Sequence, residues 1–259
     1  MLDITLSVVI YNDYETPADM IRSFREFMPT KLSTLLYVVD NSDCESPDRG
    51  AFIEEIDNYP FIEYMSSGSN VGFGAANNLA LSRAESKYHV FINPDIQFRS
   101  NALEGLYSFM EDHQGVGVCI PRMVDEQGKG LPVYRREVTV LDAINRAFLN
   151  NALNKRNEYH TMALEDYTKP FRVPFGQGSF LFGRTGLLQR LGGFDDRFFL
   201  YLEDADLCKR INEDSSLWYC PDVTVMHRWE RGSRKDTRLM LMHLKSYWKY
   251  FKKWGFKFW

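Results

Sequence analysis

An α/β fold around a mostly parallel central sheet is predicted by three features of the sequence. Short apolar runs alternate with helical stretches through the first 120 residues, which is the spacing of βαβ units. The first run, Ile4 to Tyr11, is nearly uninterrupted, as expected of a strand covered on both faces. Turn and cap residues punctuate the runs, among them Pro17, Ser46-Pro47, Pro60 and Pro94.

The elements follow in order. Strand one is Ile4 to Tyr11, and Thr16-Pro17 starts a helix to about Met28. Strand two is Leu35 to Asp40; Ser46-Pro47-Asp48 opens the next helix, which must end before Pro60. Strand three is Phe61 to Met65, followed by a helix from Gly74 to Ala84. Strand four, Tyr88 to Asn93, is stopped by Pro94; Ser100 caps a helix through Asp112, and Val116 to Ile120 is strand five. Beyond it the pattern is mixed. Thr139 to Leu153 reads as helix, with a polar stretch after it. Phe171 to Phe182 reads as extended, broken at Gly176 and Gly178. Leu202 to Asn212 is helical, Trp218 to Met226 is a short strand pair around Pro221, and Asp236 to Lys252 is a final helix.

With 259 residues the chain is long for one average domain and short for two, so one domain with an appendage is expected. Hydrophobic residues make 44% and charged residues 25%, which excludes disorder, collagen and a disulfide scaffold. Aromatics reach 15%, which fits flat or sugar-like ligands or an interface. The net charge of −4 hides an asymmetry. Residues 231–259 carry nine Lys/Arg against one acid, whereas residues 1–230 carry 22 bases against 34 acids. A body that binds through carboxylates and a tail that meets an anionic surface follow from that split. Cys44, Cys119, Cys208 and Cys220 are too far apart for a CxxC metal or redox pattern, so a reducing compartment is expected. The N-terminus lacks a basic leader, and no run approaches the ~18 apolar residues of a membrane span.

Ligands of parallel sheets sit beyond the carboxyl ends of the strands. Three strands end there in polar groups: Tyr11-Asn12-Asp13, Asp40-Asn41-Ser42-Asp43, and Asn93-Pro94-Asp95. Such residues also begin ordinary turns, but three on one edge argue for a site. Ser69 to Asn78, with Gly72 and Gly74, follows strand three and opens a helix, a setting suited to an anion such as a diphosphate. It matches GxGxxG only in part, since Asn77 stands at the third glycine, and it carries no NAD inference. Glu203, Asp204 and Asp206 sit at a helix start, which favours ionised carboxylates and would hold a general base ready; helix capping is the plainer account. His227 ends a strand-like run and, with Asp95, would suit a borderline cation. From Lys245 to Trp259 there are five lysines and eight aromatics, a composition suited to an anionic bilayer surface or to packing on the body. No groove-reading motif supports a nucleic-acid partner.

Taken in order, Val8-Val-Ile-Tyr-Asn12, Val38-Val-Asp40-Asn-Ser42, Asn70-Val-Gly72-Phe-Gly74 to Asn78, Asn93-Pro-Asp95, Gly193 to Arg210 and His227 form a set. This set resembles the family 2 inverting glycosyltransferases with the GT-A fold, in particular the bacterial rhamnosyltransferases of O-antigen and cell-wall polysaccharide assembly. The resemblance covers roughly residues 4–250. It implies a catalytic domain over residues 1–230 and a helical, basic-aromatic tail over 231–259. It implies a nucleotide-sugar donor contacted by Tyr11, Asn12, Asp40, Asn70, Gly72, Gly74, Asn78, Asn93 and Asp95, with Asp40 on the pyrimidine base. It implies Asp204, of the Glu203-Asp204 pair, as the catalytic base. Mg²⁺ or Mn²⁺ would be held by Asp95, the last acid of a DxD-type motif, and by His227. One position departs from the pattern: Asn93 replaces the first acid, which weakens the metal site. The donor implied is dTDP-β-L-rhamnose, giving an α-linked rhamnose on a polyprenyl-diphosphate-linked glycan at the inner face of the plasma membrane. Another UDP- or dTDP-hexose is the alternative within the class. A nucleotidyltransferase is disfavoured because Tyr11 to Glu15 is acidic where such enzymes carry a Gly-rich basic loop. A degenerate, non-catalytic binding module rests on Asn93 alone, against the retention of Glu203 and Asp204.

Overall fold

The structure, a computed structural model, describes residues 1–43, 46–147, 152–228 and 237–259. Its first part alternates strand and helix: β1 (Leu2–Ile10), α1 (Glu15–Glu26), β2 (Thr34–Asp40), α2 (Pro47–Ile56), β3 (Ile62–Ser66), α3 (Phe73–Arg83) and β4 (Ser86–Ile92). The short β5 (Ile96–Gln97), α4 (Ala102–Asp112) and β6 (Val118–Val124) follow. Then come β7 (Tyr134–Arg135), α5 (Val140–Ala147), α6 (Asn154–His160), β8 (Phe171–Arg172), β9 (Phe175–Gly176), β10 (Phe180–Arg184) and α7 (Thr185–Arg190). The chain closes with α8 (Glu203–Asp214), β11 (Leu217–His227) and α9 (Thr237–Trp254).

The apolar continuity of β1 has the expected cause. Ile4, Leu6, Val8 and Ile10 face the main core, while Val9 packs with Tyr37, Val39, Ala76 and Ala80 on the α3 side. Both faces are covered, and each such side chain contributes about 1.5–3 kcal/mol by leaving water. The polar positions on the second face, Thr5 and Ser7, bond buried His89 and, through Ser7, Asn77 of α3. Every hydroxyl in that network finds a partner, which is what makes its burial tolerable.

The main sheet runs β3-β2-β1-β4-β10-β6-β11-β5, with β8 on β11; β7 and β9 form a separate pair. Strands β1 to β4 are parallel, as the βαβ spacing predicts. Strand β10 is antiparallel to both β4 and β6, so the sheet is mixed beyond β4. This strand lies within the stretch read only as extended; long-range pairing, not local pattern, sets its direction. Register aligns Ile10 with Asp40, Asp40 with Ser66, and Ile92 with Phe180. The carboxyl ends of the parallel strands and the start of β10 therefore share one edge, where the site is built.

Other boundaries differ for identifiable reasons. Asn101, not Ser100, caps α4, its side chain accepting from Glu104 N. Trp218 to Met226 belongs to a single strand, β11, whose register shifts between Cys220 and Thr224. Pro221 sits in that shift because it has no N–H to give the ladder. The helix expected over 139–153 is α5, ending at Ala147, and a separate helix α6 occupies the polar stretch; residues 148–151 lie outside the described residues. Cys119, Cys208 and Cys220 are buried thiols; Cys44 lies outside the described residues.

The tail is a part of the body. Ser246, Tyr247, Tyr250 and Phe251 of α9 are buried, and the three aromatics join Val138, Phe198, Leu202 and Ala205 in a satellite core. Lys253 bridges to Asp195 and Asp206, and Lys257 to Glu137. The opposite face shows Leu241, Lys245, Trp248, Lys249 and Lys252 to solvent, a helical repeat of lysine and apolar residues. Residues 229–236, which hold the first cations of the basic stretch, lie outside the described residues.

Candidate active site

Asp40 closes β2 and is 1% exposed. Its Oδ2 accepts from Tyr64 Oη at 2.6 Å and Tyr14 Oη at 3.2 Å, and pairs with Arg49 Nε at 3.0 Å. Its Oδ1 accepts from Ser42 N at 3.0 Å. Burial pushes this carboxyl up, but the Tyr64 and Ser42 donors and the Arg49 charge outweigh it and hold the group below its usual range. The Tyr64 phenol is pushed up to about 12 by burial and by Asp40. Asp40 is thus the anionic hub that orients two phenols and a guanidinium. Beside it, Asn12 has a left-handed backbone (φ 53°) and donates from N to Ser42 Oγ at 2.8 Å. Tyr11, half exposed, donates from Oη to Asp43 at 3.1 Å, and Asn12 Nδ2 donates to the same carboxylate at 3.1 Å.

The loop before α3 is shaped by two asparagines. Asn41 Oδ1 accepts from Val71 N at 2.9 Å, and Asn70 Oδ1 accepts from Asn41 Nδ2 at 3.0 Å and Gly72 N at 3.1 Å. Gly72 has φ +93°, and a Cβ there would stand 2.6 Å from Phe199 O. A Cβ on Gly74 would stand 2.7 Å from Phe194 Cβ. The close approach expected of these glycines is made to the chain's own 194–199 segment. Phe73 N, at the helix start, is likewise used by Phe199 O at 3.1 Å. Asn78 completes the clamp: Nδ2 donates to Phe194 O at 2.8 Å and Oδ1 accepts from Phe194 N at 2.9 Å. Gly72, Gly74 and Asn78 thereby anchor the segment that leads into α8.

That segment ends in strained backbone. Tyr201 and Leu202 are consecutive left-handed residues, φ 71° and 66°, each a conformation costing on the order of 1–3 kcal/mol. The turn they make separates the two acids that follow. Glu203 points inward, 6% exposed, and its Oε2 has no hydrogen-bond partner among the described residues. Burial first, then the neighbouring Asp204, push its carboxyl well above the ordinary range, which favours the protonated form. Asp204 points the other way: Oδ2 accepts from Gly178 N at 3.0 Å and Oδ1 from Ala205 N at 2.8 Å. Burial raises this carboxyl too, opposed by the two N–H donors and the charge of Arg146. A Cβ on Gly178 would stand 2.9 Å from Asp204 Cβ, which explains the glycine that breaks the extended stretch. Of the pair, only Asp204 has the environment of a base.

Asp95 and His227 are brought together by a two-residue strand. β5 pairs with β11 so that Ile96 faces His227, and Arg228 N donates to Asp95 O at 3.0 Å. His227 Nε2 lies 3.1 Å from Asp95 Oδ2; Asp95 Oδ1 is buried without a hydrogen-bond partner among the described residues. An oxygen and an imidazole so placed fit one edge of a divalent cation site. Among the described residues no third His, Cys, Asp or Glu completes it, so substrate oxygens and water would fill the remaining positions, as is usual for Mg²⁺. The two acids share an edge: Gly178 N bonds Asp204, and the next residue, Ser179, accepts from Asn93 N at 2.9 Å. Asn93 is two residues from Asp95. Tyr14, Tyr64, Arg49 and Gly178 were not singled out in the sequence as site residues; the glycine break alone signalled one of them. A cavity of about 470 Å³ beside α8, lined by Lys209, Asn212 and Tyr250, includes neither Asp95 nor Asp204.

Residues 5–192 match the family model described as Glycosyl transferase family 2. The chain is 24% identical over 236 residues to the N-acetylglucosaminyl-diphospho-decaprenol L-rhamnosyltransferase of Mycobacterium tuberculosis (strain ATCC 25618 / H37Rv), covering 85% of this chain and 75% of that protein. It is 28% identical over 204 residues to Rhamnosyltransferase WbbL of Escherichia coli (strain K12), covering 74% of each. The crystal structure of GalNAc-T7 with UDP, GalNAc and Mn²⁺ is similar in fold, with a TM-score of 0.70 at 15% identity; 97% of this chain aligns with 48% of that one. The chain thus spans about three quarters of the curated relatives and about half of that solved protein.

Proposed function

The chain belongs to glycosyl transferase family 2 and has the GT-A fold, and from that premise we propose that it transfers L-rhamnose from dTDP-L-rhamnose, with inversion, to a hydroxyl of a polyprenyl-diphosphate-linked glycan. The observation that carries the mechanism is the common edge holding Asp204 and Asp95, tied through Gly178, Ser179 and Asn93. The acceptor oxygen forms a bond to the anomeric carbon as the bond from that carbon to the donor diphosphate breaks. Asp204, fixed by two backbone N–H groups, takes the hydroxyl proton. The nucleoside diphosphate leaves from the opposite face, so the centre inverts. Mg²⁺ or Mn²⁺ held by Asp95 and His227 would neutralise the charge that the diphosphate gains. The Asp40 hub, with Tyr11, Asn12 and Asn70 near it, serves the nucleoside end; Asn93 lies between the two acids. Rhamnose is favoured by both relatives, which are rhamnosyltransferases, and a lipid-linked acceptor by the mycobacterial one, whose name carries a diphospho-decaprenol.

The donor is tested by thermal unfolding against a panel of dTDP-, UDP- and GDP-sugars with Mn²⁺. Saturation at 100 times Kd adds about 2.7 kcal/mol, or roughly 5–10 °C for a chain of this size. The largest shift is expected with dTDP-L-rhamnose; a larger one with another nucleotide sugar would reassign the donor.

We further propose that the exposed face of α9 rests on an anionic membrane. No helix among the described residues is long and apolar enough to cross a bilayer, but Trp248, Phe258 and Trp259 are 62%, 59% and 81% exposed beside Lys245, Lys249 and Lys252. Deleting the tail would remove Tyr247, Tyr250 and Phe251, uncover Val138, Phe198, Leu202 and Ala205 and upset folding, so substitution is the cleaner probe. Replacing Trp248, Phe258 and Trp259 together by Ser is expected to cut co-sedimentation with phosphatidylglycerol vesicles severalfold at unchanged melting temperature. Undiminished sedimentation at low salt would refute the contact.

A further inference from the structure

We propose that Arg135 and Arg146 receive the diphosphate of a prenyl-diphosphate-linked acceptor beside Asp204. This rests on the transferase reading above and assigns two residues that the sequence did not single out. Ala143 of α5 packs in the satellite core with Leu202 and Ala205, the residues that bracket Glu203 and Asp204. Arg146 lies one turn further along α5, on the same side of the helix, and is exposed. Arg135 pairs through its backbone with Phe175, in the strand that leads directly to Gly178, the donor to Asp204. The charges sense one another: Arg146 counters the burial that raises Asp204, and after burial it is the largest influence lowering Arg135.

Neither guanidinium has a carboxylate partner among the described residues. Among the described residues the Arg135 side chain donates to the carbonyls of Pro132 and Tyr134. Its neighbours in sequence and space are paired in the ordinary way, Arg136 to Glu165 and Arg156 to Asp142. Two cations with no ion-paired carboxylate among the described residues, one of them half buried, stand beside the Asp204 charge as a place for a further anion. Planar guanidiniums suit phosphate oxygens, which they bind in pairs. The donor diphosphate has its own place at the Asp95–His227 end of the edge, which leaves this pair to the acceptor. Ile144 on α5, with Met240 and Leu241 on α9, exposes apolar surface on the same two helices, where the first units of a prenyl chain would lie.

The test is direct binding of farnesyl diphosphate, farnesyl monophosphate and dTDP to the full chain, by calorimetry below micellar concentrations. Arg146→Ala is the primary variant, because that side chain makes no hydrogen bond among the described residues whose loss would disturb folding; Arg135→Lys keeps the charge and removes the fork. Arg146→Ala is expected to weaken farnesyl diphosphate about 10–100-fold, Arg135→Lys by less, and both to leave dTDP affinity within about twofold. Unchanged farnesyl diphosphate affinity in both variants would overturn the proposal, and so would an equal loss for dTDP, which would give the cations to the donor. Because no sugar is transferred, the result is independent of the donor panel: failure of every nucleotide sugar would reject the transferase reading without deciding this one.

Discussion

Asp204→Asn is expected to lower sugar transfer by about 10²–10⁴-fold, the usual loss when a general base is removed, while donor affinity stays within about twofold. The substitution keeps the volume and one carbonyl oxygen but presents an NH₂ group to either Gly178 N or Ala205 N. One backbone donor is then left without its acceptor, costing about 1–3 kcal/mol locally, so melting temperature is recorded alongside rate. The pH profile separates chemistry from stability. Burial raises the Asp204 carboxyl, and a base works only when deprotonated. Wild-type transfer should therefore rise with pH through a value above that of an ordinary aspartate. The residual activity of the variant should lack that acidic limb. Single-turnover rates across pH, with donor saturating, make the measurement. Transfer within tenfold of wild type, or an acidic limb that persists, would take the base role away from Asp204.

Much of this arrangement is written locally, and the rest is not. The ends of β1, β2 and β4 were legible because strands buried on both faces make unmistakable apolar runs, and the polar residues that stop them stand out. Asp204 was legible as an acid at a helix start. What separates it from Glu203 is the left-handed pair Tyr201-Leu202 and the glycine at 178, and neither leaves a pattern in composition. Gly72 and Gly74 announced a close approach without naming its partner, because Phe199 and Phe194 lie more than a hundred residues away. The pairing of Asp95 with His227 depends on β5, two residues long, too short for any periodicity to mark. The tail shows the opposite case. Counting lysines and aromatics left a bilayer surface and packing on the body both open, whereas their spacing puts Ser246, Tyr247, Tyr250 and Phe251 on one side of a helix and Lys245, Trp248, Lys249 and Lys252 on the other.

The second large effect concerns Asp95. Asn93 leaves the described edge with one carboxylate and one imidazole for a cation, a weak set by itself. Mg²⁺ and Mn²⁺ are commonly held by one or two carboxylates together with substrate phosphates, so metal and donor should depend on each other here. That coupling is reciprocal: whatever factor Mn²⁺ adds to donor affinity, donor adds to Mn²⁺ affinity. Asp95→Asn keeps the shape beside His227 and removes the charge. Losing even an outer partner of a metal ligand costs about 10–100-fold in metal affinity, and loss of the only carboxylate should reach the upper end of that range. Calorimetry of dTDP with and without Mn²⁺ is then expected to show strong mutual enhancement in the wild type and almost none in the variant, with metal-free dTDP binding the same in both. His227→Ala should weaken the enhancement less, since a neutral imidazole offers the cation no charge. If Mn²⁺ leaves dTDP affinity of the wild type unaltered, or if Asp95→Asn preserves the enhancement, the cation does not sit between Asp95 and the donor.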